Sequence, residues 1–68
     1  MYQFRKEKRE ELKEKTTITK LAKEIGITRV SLSKIICNMT TTTKMVAYCL
    51  TKLIDSEKEI DYFFERIE

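Results

Sequence analysis

Apolar residues in this chain recur mostly three and four positions apart, the repeat of α-helices that bury one side. Ile60, Phe63, Phe64 and Ile67 follow the i, i+3, i+4, i+7 rule without a miss. Before them stands Ser56-Glu57-Lys58-Glu59, a capping-box pattern in which Ser and Glu satisfy each other's free N–H groups, so a helix is predicted over 57–67. Met45, Cys49 and Leu53 form one stripe, and Val46, Leu50 and Ile54 a neighbouring one. Together they predict a helix over 44–54, capped by Thr43, with a wide buried face. Leu21, Ala22 and Ile25 predict a shorter helix over 18–25. The Thr17 hydroxyl caps its start, and Gly26, which takes left-handed backbone without penalty, ends it.

Ile27 follows as an apolar plug, and Thr28 caps a further helix over 29–36, closed by Cys37-Asn38. At about 100° per residue, Leu32, Ile35 and Ile36 share one side of it, Arg29, Val30, Ser33 and Lys34 take the other, and Ser31 sits on the border. Residues 3–15 are strong helix formers with little apolar content beyond Phe4 and Leu12. Their like-charged Glu7–Glu11 spacing is compensated by Glu10–Lys13 and Glu11–Lys15, so they read as a solvated helix. No strand-like alternation, repeat or linker stands out. The expectation is an all-α, compact five-helix fold in a single domain, 1–68.

Composition narrows this further. One Gly and no Pro among 68 residues suit helices joined by short turns. The chain has no His, and its two cysteines, Cys37 and Cys49, are too few for a zinc site. Cys49 lies in an apolar pattern and reads as a buried, reduced thiol. No signal-peptide stretch or membrane-length apolar run is present, so the cytoplasm is the expected location and no membrane partner is expected. The net charge of +3 is uneven. Residues 16–53 carry six cations against Glu24 alone, while residues 54–68 carry two against six carboxylates. A basic body attracts polyanions through release of their counterions. The acidic end should face away from such a partner or toward a different one.

Residues 18–36 combine a small residue where two helices cross (Ala22), a left-handed turn residue four later (Gly26), and apolar residues lining a shared core (Leu21, Ile25, Ile27, Leu32 and Ile35). Those are the needs of a helix-turn-helix, whose second helix enters the major groove of DNA. The run Leu21-Ala22-Lys23-Glu24-Ile25-Gly26-Ile27-Thr28-Arg29-Val30-Ser31-Leu32-Ser33-Lys34-Ile35 resembles the Cro/repressor (Xre-type) helix-turn-helix family of phages and bacteria. The resemblance implies a lambda-repressor-like fold, operator binding as a homodimer, and control of transcription as a phage-type repressor. It implies base-reading roles for Arg29, Val30, Ser33 and Lys34. It implies phosphate contacts from Thr17, Thr28, Ser31, Asn38, Thr40 and Lys44. Where family members commonly carry Glu-Asn-Gly, Ile36-Cys37-Asn38 stand here. The usual Arg–Glu pair between the first and third helices is therefore absent, and an apolar contact by Ile36 is expected instead.

The chemistry suits those roles. Arg29 can donate twice to guanine O6 and N7, and Val30 can touch a thymine methyl. Free N–H groups behind Thr17 and Thr28 favour a phosphate. Phe63, Phe64 and Ile67 have two readings. They close the core, or part of the set forms a two-fold interface, which the number of aromatic residues in so short a chain favours. The rival reading of the whole chain is a module of the same shape that inhibits or recruits another protein, such as a host defence complex or polymerase. An enzyme is not expected. The chain shows no His, no Gly-rich phosphate loop and no paired-carboxylate signature, hence no catalytic, cofactor or metal residues are nominated.

Overall fold

The computed structural model describes residues 1–67. Three helices stand where local chemistry puts them. Thr17, Thr28 and Thr43 each turn a hydroxyl oxygen back to accept from the N–H three residues on (Lys20 at 3.1 Å, Ser31 at 3.1 Å, Val46 at 3.3 Å). These caps start α2 (Ile18–Ile25), α3 (Arg29–Ile36) and α4 (Lys44–Ile54). Gly26 ends α2 at φ 88°, and a Cβ there would meet nothing within 4 Å. Glycine is therefore favoured at that point by backbone conformation and not by lack of room. Asn38, at φ 62°, does the same after α3.

Both ends of the chain depart from the helical expectation. Residues 3–15 do not form one helix. Tyr2–Phe4 is a strand, β1, followed by a 3-10 turn at Lys6–Lys8, and α1 spans only Arg9–Lys15. The expected helix over 57–67 is reduced to a single turn, α5 (Ile60–Phe63), and Phe64–Arg66 is a strand, β2. The strands pair antiparallel with Tyr2 opposite Arg66 and Phe4 opposite Phe64. On its other edge β1 is joined to Thr42 by two backbone hydrogen bonds at Tyr2, of 2.7 and 2.8 Å. The fold is thus mostly helical with a small two-stranded sheet, not all-α.

Burial explains the change. Phe63 stacks on Phe4 with ring centres 6.1 Å apart, and Phe64 meets the same ring edge-on at 5.2 Å. On a continued helix the two aromatics would point about 100° apart. Extended backbone at Phe64 lets both enter the core. The capping box does not form either. Glu59 stands before α5 without a side-chain cap, and Asp55 organises the turn instead, its Oδ1 accepting from the Glu57 N–H at 3.1 Å.

The core draws on every layer: Phe4 from β1, Leu12 from α1, Leu21 and Ala22 from α2, Leu32, Ile35 and Ile36 from α3, Ala47, Leu50 and Ile54 from α4, and Phe63 with Phe64. Phe63 and Phe64 are both 0% exposed. They close the core and are not a partner surface; Ile67 is half-buried, its N–H donating to the Met1 carbonyl at 2.8 Å. On α4 the buried side runs through Ala47, Leu50, Thr51 and Ile54. Thr51 fits there because its hydroxyl donates to the Ala47 carbonyl at 2.8 Å. The stripe Met45–Cys49–Leu53, expected inside, lies outside, and Cys49 is an exposed free thiol. Among the described residues no helix is long and apolar enough to cross a membrane.

Candidate functional site

α3 packs its Leu32, Ile35 and Ile36 side against the body and leaves the opposite side open. Arg29, Val30 and Lys34 are exposed and Ser33 is half-buried. These four line one shallow hollow of about 320 Å³, together with Met39. Val30 is 65% exposed and Met39 74%, so an apolar pair lies in the open between two cations. No ion pair involves Arg29 or Lys34 among the described residues, whose two salt bridges are Lys8–Glu11 and Lys15–Asp55. Among the described residues no carboxylate lines this hollow. A second hollow, of about 280 Å³, has Arg5, Lys6, Glu7 and Glu65 on its wall, and its two carboxylates make it a poor seat for an anion.

Met39 is the site residue that periodicity missed, because it lies beyond the helix. It is placed by the way α3 stops. The Asn38 N–H donates to the Ile35 carbonyl at 3.3 Å and the Met39 N–H to the Lys34 carbonyl at 2.9 Å. With Asn38 left-handed, this is a Schellman ending, which folds the following residue back over the last turn. Asn38 at the end of the apolar periodicity is the signal that could have found it.

The residues expected at phosphates divide into two groups. Thr17 and Thr28 sit exposed at the N-termini of α2 and α3, where unpaired N–H groups and the helix dipole attract anions. The Thr28 hydroxyl donates to Ser31 Oγ at 2.9 Å, which leaves the Ser31 hydroxyl its own proton to donate outward. Lys44 is exposed at the first position of α4. Asn38 is different. Its Oδ1 accepts from an Arg9 guanidinium N–H, and its Nδ2 donates to the Phe4 carbonyl at 2.6 Å. Its backbone N–H is also taken, so Asn38 is a structural clamp and its side chain is not free for a phosphate. Thr40 turns its hydroxyl onto the neighbouring Thr41 carbonyl at 3.3 Å.

Arg9 completes the clamp by donating from Nε to the Ile36 carbonyl at 2.8 Å. It thereby ties α1 to the end of α3 without a carboxylate, while the Ile36 side chain packs into the core. Asp55 binds Lys15 at 3.0 Å. The hydrogen bond from Lys15, then the one from the Glu57 N–H, hold its carboxyl below the usual carboxylate range. Glu11 is half-buried and accepts from the Tyr62 hydroxyl at 2.7 Å. It reaches Lys8 at 3.9 Å and not the expected Lys15.

No family model, curated protein or solved structure matches this chain.

Proposed function

We propose that this chain is a sequence-specific duplex-DNA-binding regulator, a member by resemblance of the Cro/repressor helix-turn-helix family, that reads the major groove with α3. The observation that carries the reading is the open side of α3: Arg29, Val30, Ser33 and Lys34 stand together, with no carboxylate among them. Arg29 supplies a bidentate donor for guanine, Val30 an apolar contact for a thymine methyl, and Ser33 a hydroxyl that donates or accepts. Lys34 reaches a base edge or a phosphate. Thr17, Thr28, Ser31 and Lys44 hold the sugar–phosphate backbone and fix register without reading sequence. The regulator acts as a cytoplasmic homodimer of phage type and represses by covering a promoter. Each subunit takes one half-site, about 34 Å from its mate along one face of the duplex. The body is 29 × 24 × 20 Å, a size at which two adjacent copies can span that pitch.

Selection of bound sequences from random duplex, followed by titration of the winner, tests this. Arg29→Ala should weaken binding to the selected site by about 1–3 kcal/mol and relax the base preference at one position. Affinity of the parent chain should fall steeply with salt, because phosphate neutralisation releases counterions. Equal affinity of parent and variant, or no selected sequence at all, refutes the reading. The exposed apolar side of α4 favours a second reading, a protein-recruiting module. Under it, binding to duplex would be weak and independent of Arg29.

A further inference from the structure

Met39 is 74% exposed and lines the same hollow as Arg29, Val30, Ser33 and Lys34, yet it lies outside α3. A single apolar side chain in water on a loose tail would need no explanation. Met39 is not on a loose tail. The Schellman ending fixes its backbone, with the Met39 N–H on the Lys34 carbonyl at 2.9 Å. Asn38, the residue before it, is held by Arg9 and by the Phe4 carbonyl, and Arg9 also holds the Ile36 carbonyl at 2.8 Å. Strand β1, α1 and the end of α3 thus set where the Met39 side chain begins, so its backbone needs no further ordering when a ligand arrives.

The chemistry of the hollow selects what meets it. Val30, 65% exposed, and Met39 discriminate by apolar contact, since one has no polar atom and the other only a thioether. Arg29 and Lys34 beside them only donate, and among the described residues no carboxylate lines the hollow. An apolar protein patch would leave both cations without acceptors. The major groove of a duplex serves both kinds of side chain. It offers acceptors to the cations on bases and phosphates, and to the apolar pair it offers the C5-methyl of thymine. The same methyl stands at the same ring position in 5-methylcytosine. Val30 and Lys34 are one helical turn apart, about 5.4 Å along the axis, and the Met39 N–H is bonded at the Lys34 end. Successive bases of a strand are about 3.4 Å apart, so with α3 lying along the groove Val30 and Met39 face different base steps. We infer that Met39 is a second methyl reader: it contacts the C5-methyl of a pyrimidine at a step other than the one Val30 covers, whether the ring is thymine or 5-methylcytosine. The inference rests on the proposed duplex reading, and adds to it a specificity residue from beyond α3 and a response to cytosine methylation.

The test titrates the full chain on its selected duplex by fluorescence anisotropy. Each thymine of one half-site is replaced in turn by deoxyuridine, which keeps the Watson–Crick edge and lacks the methyl. In separate duplexes the same T·A pair becomes C·G or 5-methyl-C·G. With the parent chain, deoxyuridine should cost about fourfold in affinity at each of two positions, the equivalent of one buried carbon. Met39→Ala should abolish the loss at one position and keep it at the other, and Val30→Ala should do the converse. Met39→Leu, still apolar and of similar reach, should behave as the parent. At the Met39 position 5-methylcytosine should bind about fourfold tighter than cytosine, and Met39→Ala should lose that gain. Both side chains are exposed, so helical circular dichroism of the variants should stay at the parental level. The inference is overturned if fewer than two thymines respond to deoxyuridine, if Met39→Ala keeps both responses, or if 5-methylcytosine binds no better than cytosine at that position. Any of these results on a duplex whose affinity still falls with Arg29→Ala removes the Met39 role alone. Failure to select any sequence removes the duplex reading together with it.

Discussion

Replacing Asn38 by alanine removes a carboxamide that serves three segments at once. Its Oδ1 accepts from the Arg9 guanidinium, its Nδ2 donates to the Phe4 carbonyl, and its backbone holds a left-handed turn at φ 62°. A hydrogen bond to a charged group is worth about 1.5–3 kcal/mol, and a neutral one about 0.5–1.5. Asn38 and Arg9 are half-buried, so water recovers part of each, and the lower halves of those ranges apply. A left-handed residue with a Cβ and no local polar compensation costs about 1 kcal/mol more. Asn38→Ala should therefore destabilise the fold by about 3 kcal/mol. For a domain of this size that is a fall in Tm of about 15–20 °C and a third or more of a total stability of roughly 3–10 kcal/mol. Asn38→Gly loses the same two hydrogen bonds but not the backbone compatibility. Allowing for the greater freedom of an unfolded glycine, it should lie level with the alanine variant or up to about 0.6 kcal/mol above it. Urea unfolding followed by far-ultraviolet circular dichroism measures both. An alanine variant within about 0.5 kcal/mol of the parent would refute the clamp, while a glycine variant clearly less stable than alanine would refute the backbone share of it.

Two further outcomes follow from the core and from the acidic turn. Phe64→Ala should cost about 3–5 kcal/mol, because the ring is fully buried against Phe4; urea unfolding reads the loss, and a variant within about 1 kcal/mol of the parent would show that the aromatic end is dispensable. The Asp55 carboxyl is held below its ordinary range by Lys15 and then by the Glu57 N–H, so its contribution is present above the unfolded value of about 3.9 and is lost as pH falls through the folded value. The gap between parent and Asp55→Asn in urea midpoint should be widest near neutrality at low salt and close as the solution is acidified, and a gap that is flat across that range would contradict the assignment.

The middle of the chain was legible because its signals are local. Thr17, Thr28 and Thr43 each act on an N–H three residues away, and Gly26 acts on its own backbone. For the same reason the outward set Arg29, Val30, Ser33 and Lys34 followed from counting turns of one helix. The ends were not legible. Tyr2–Phe4 and Phe64–Arg66 are three-residue strands, too short to display alternation, and each is extended because of a partner sixty residues away. Ile60, Phe63, Phe64 and Ile67 matched a helix because two adjacent aromatics satisfy that template as readily as they satisfy a turn into a strand. On α4 two apolar stripes lay side by side, and spacing could not say which faced in. The core took Leu50 and Ile54 along with Ala47 and Thr51, and left Met45 and Leu53 outside. The Arg9 clamp leaves no charge pattern in the sequence, because its acceptors are a backbone carbonyl and a carboxamide and not acids.

The pairing of β1 with β2 also sets an order of events during synthesis. Residues 9–54 hold all of α1 to α4 and can begin to pack as soon as they leave the ribosome. Phe4 emerges first of the core residues yet cannot be covered until Phe63 and Phe64 have cleared the exit tunnel, since they supply the rings that close over it. Phe4 therefore stays an uncovered aromatic until residues 63 and 64 have been made, and the two-stranded sheet closes over a helical body that precedes its second strand in the chain.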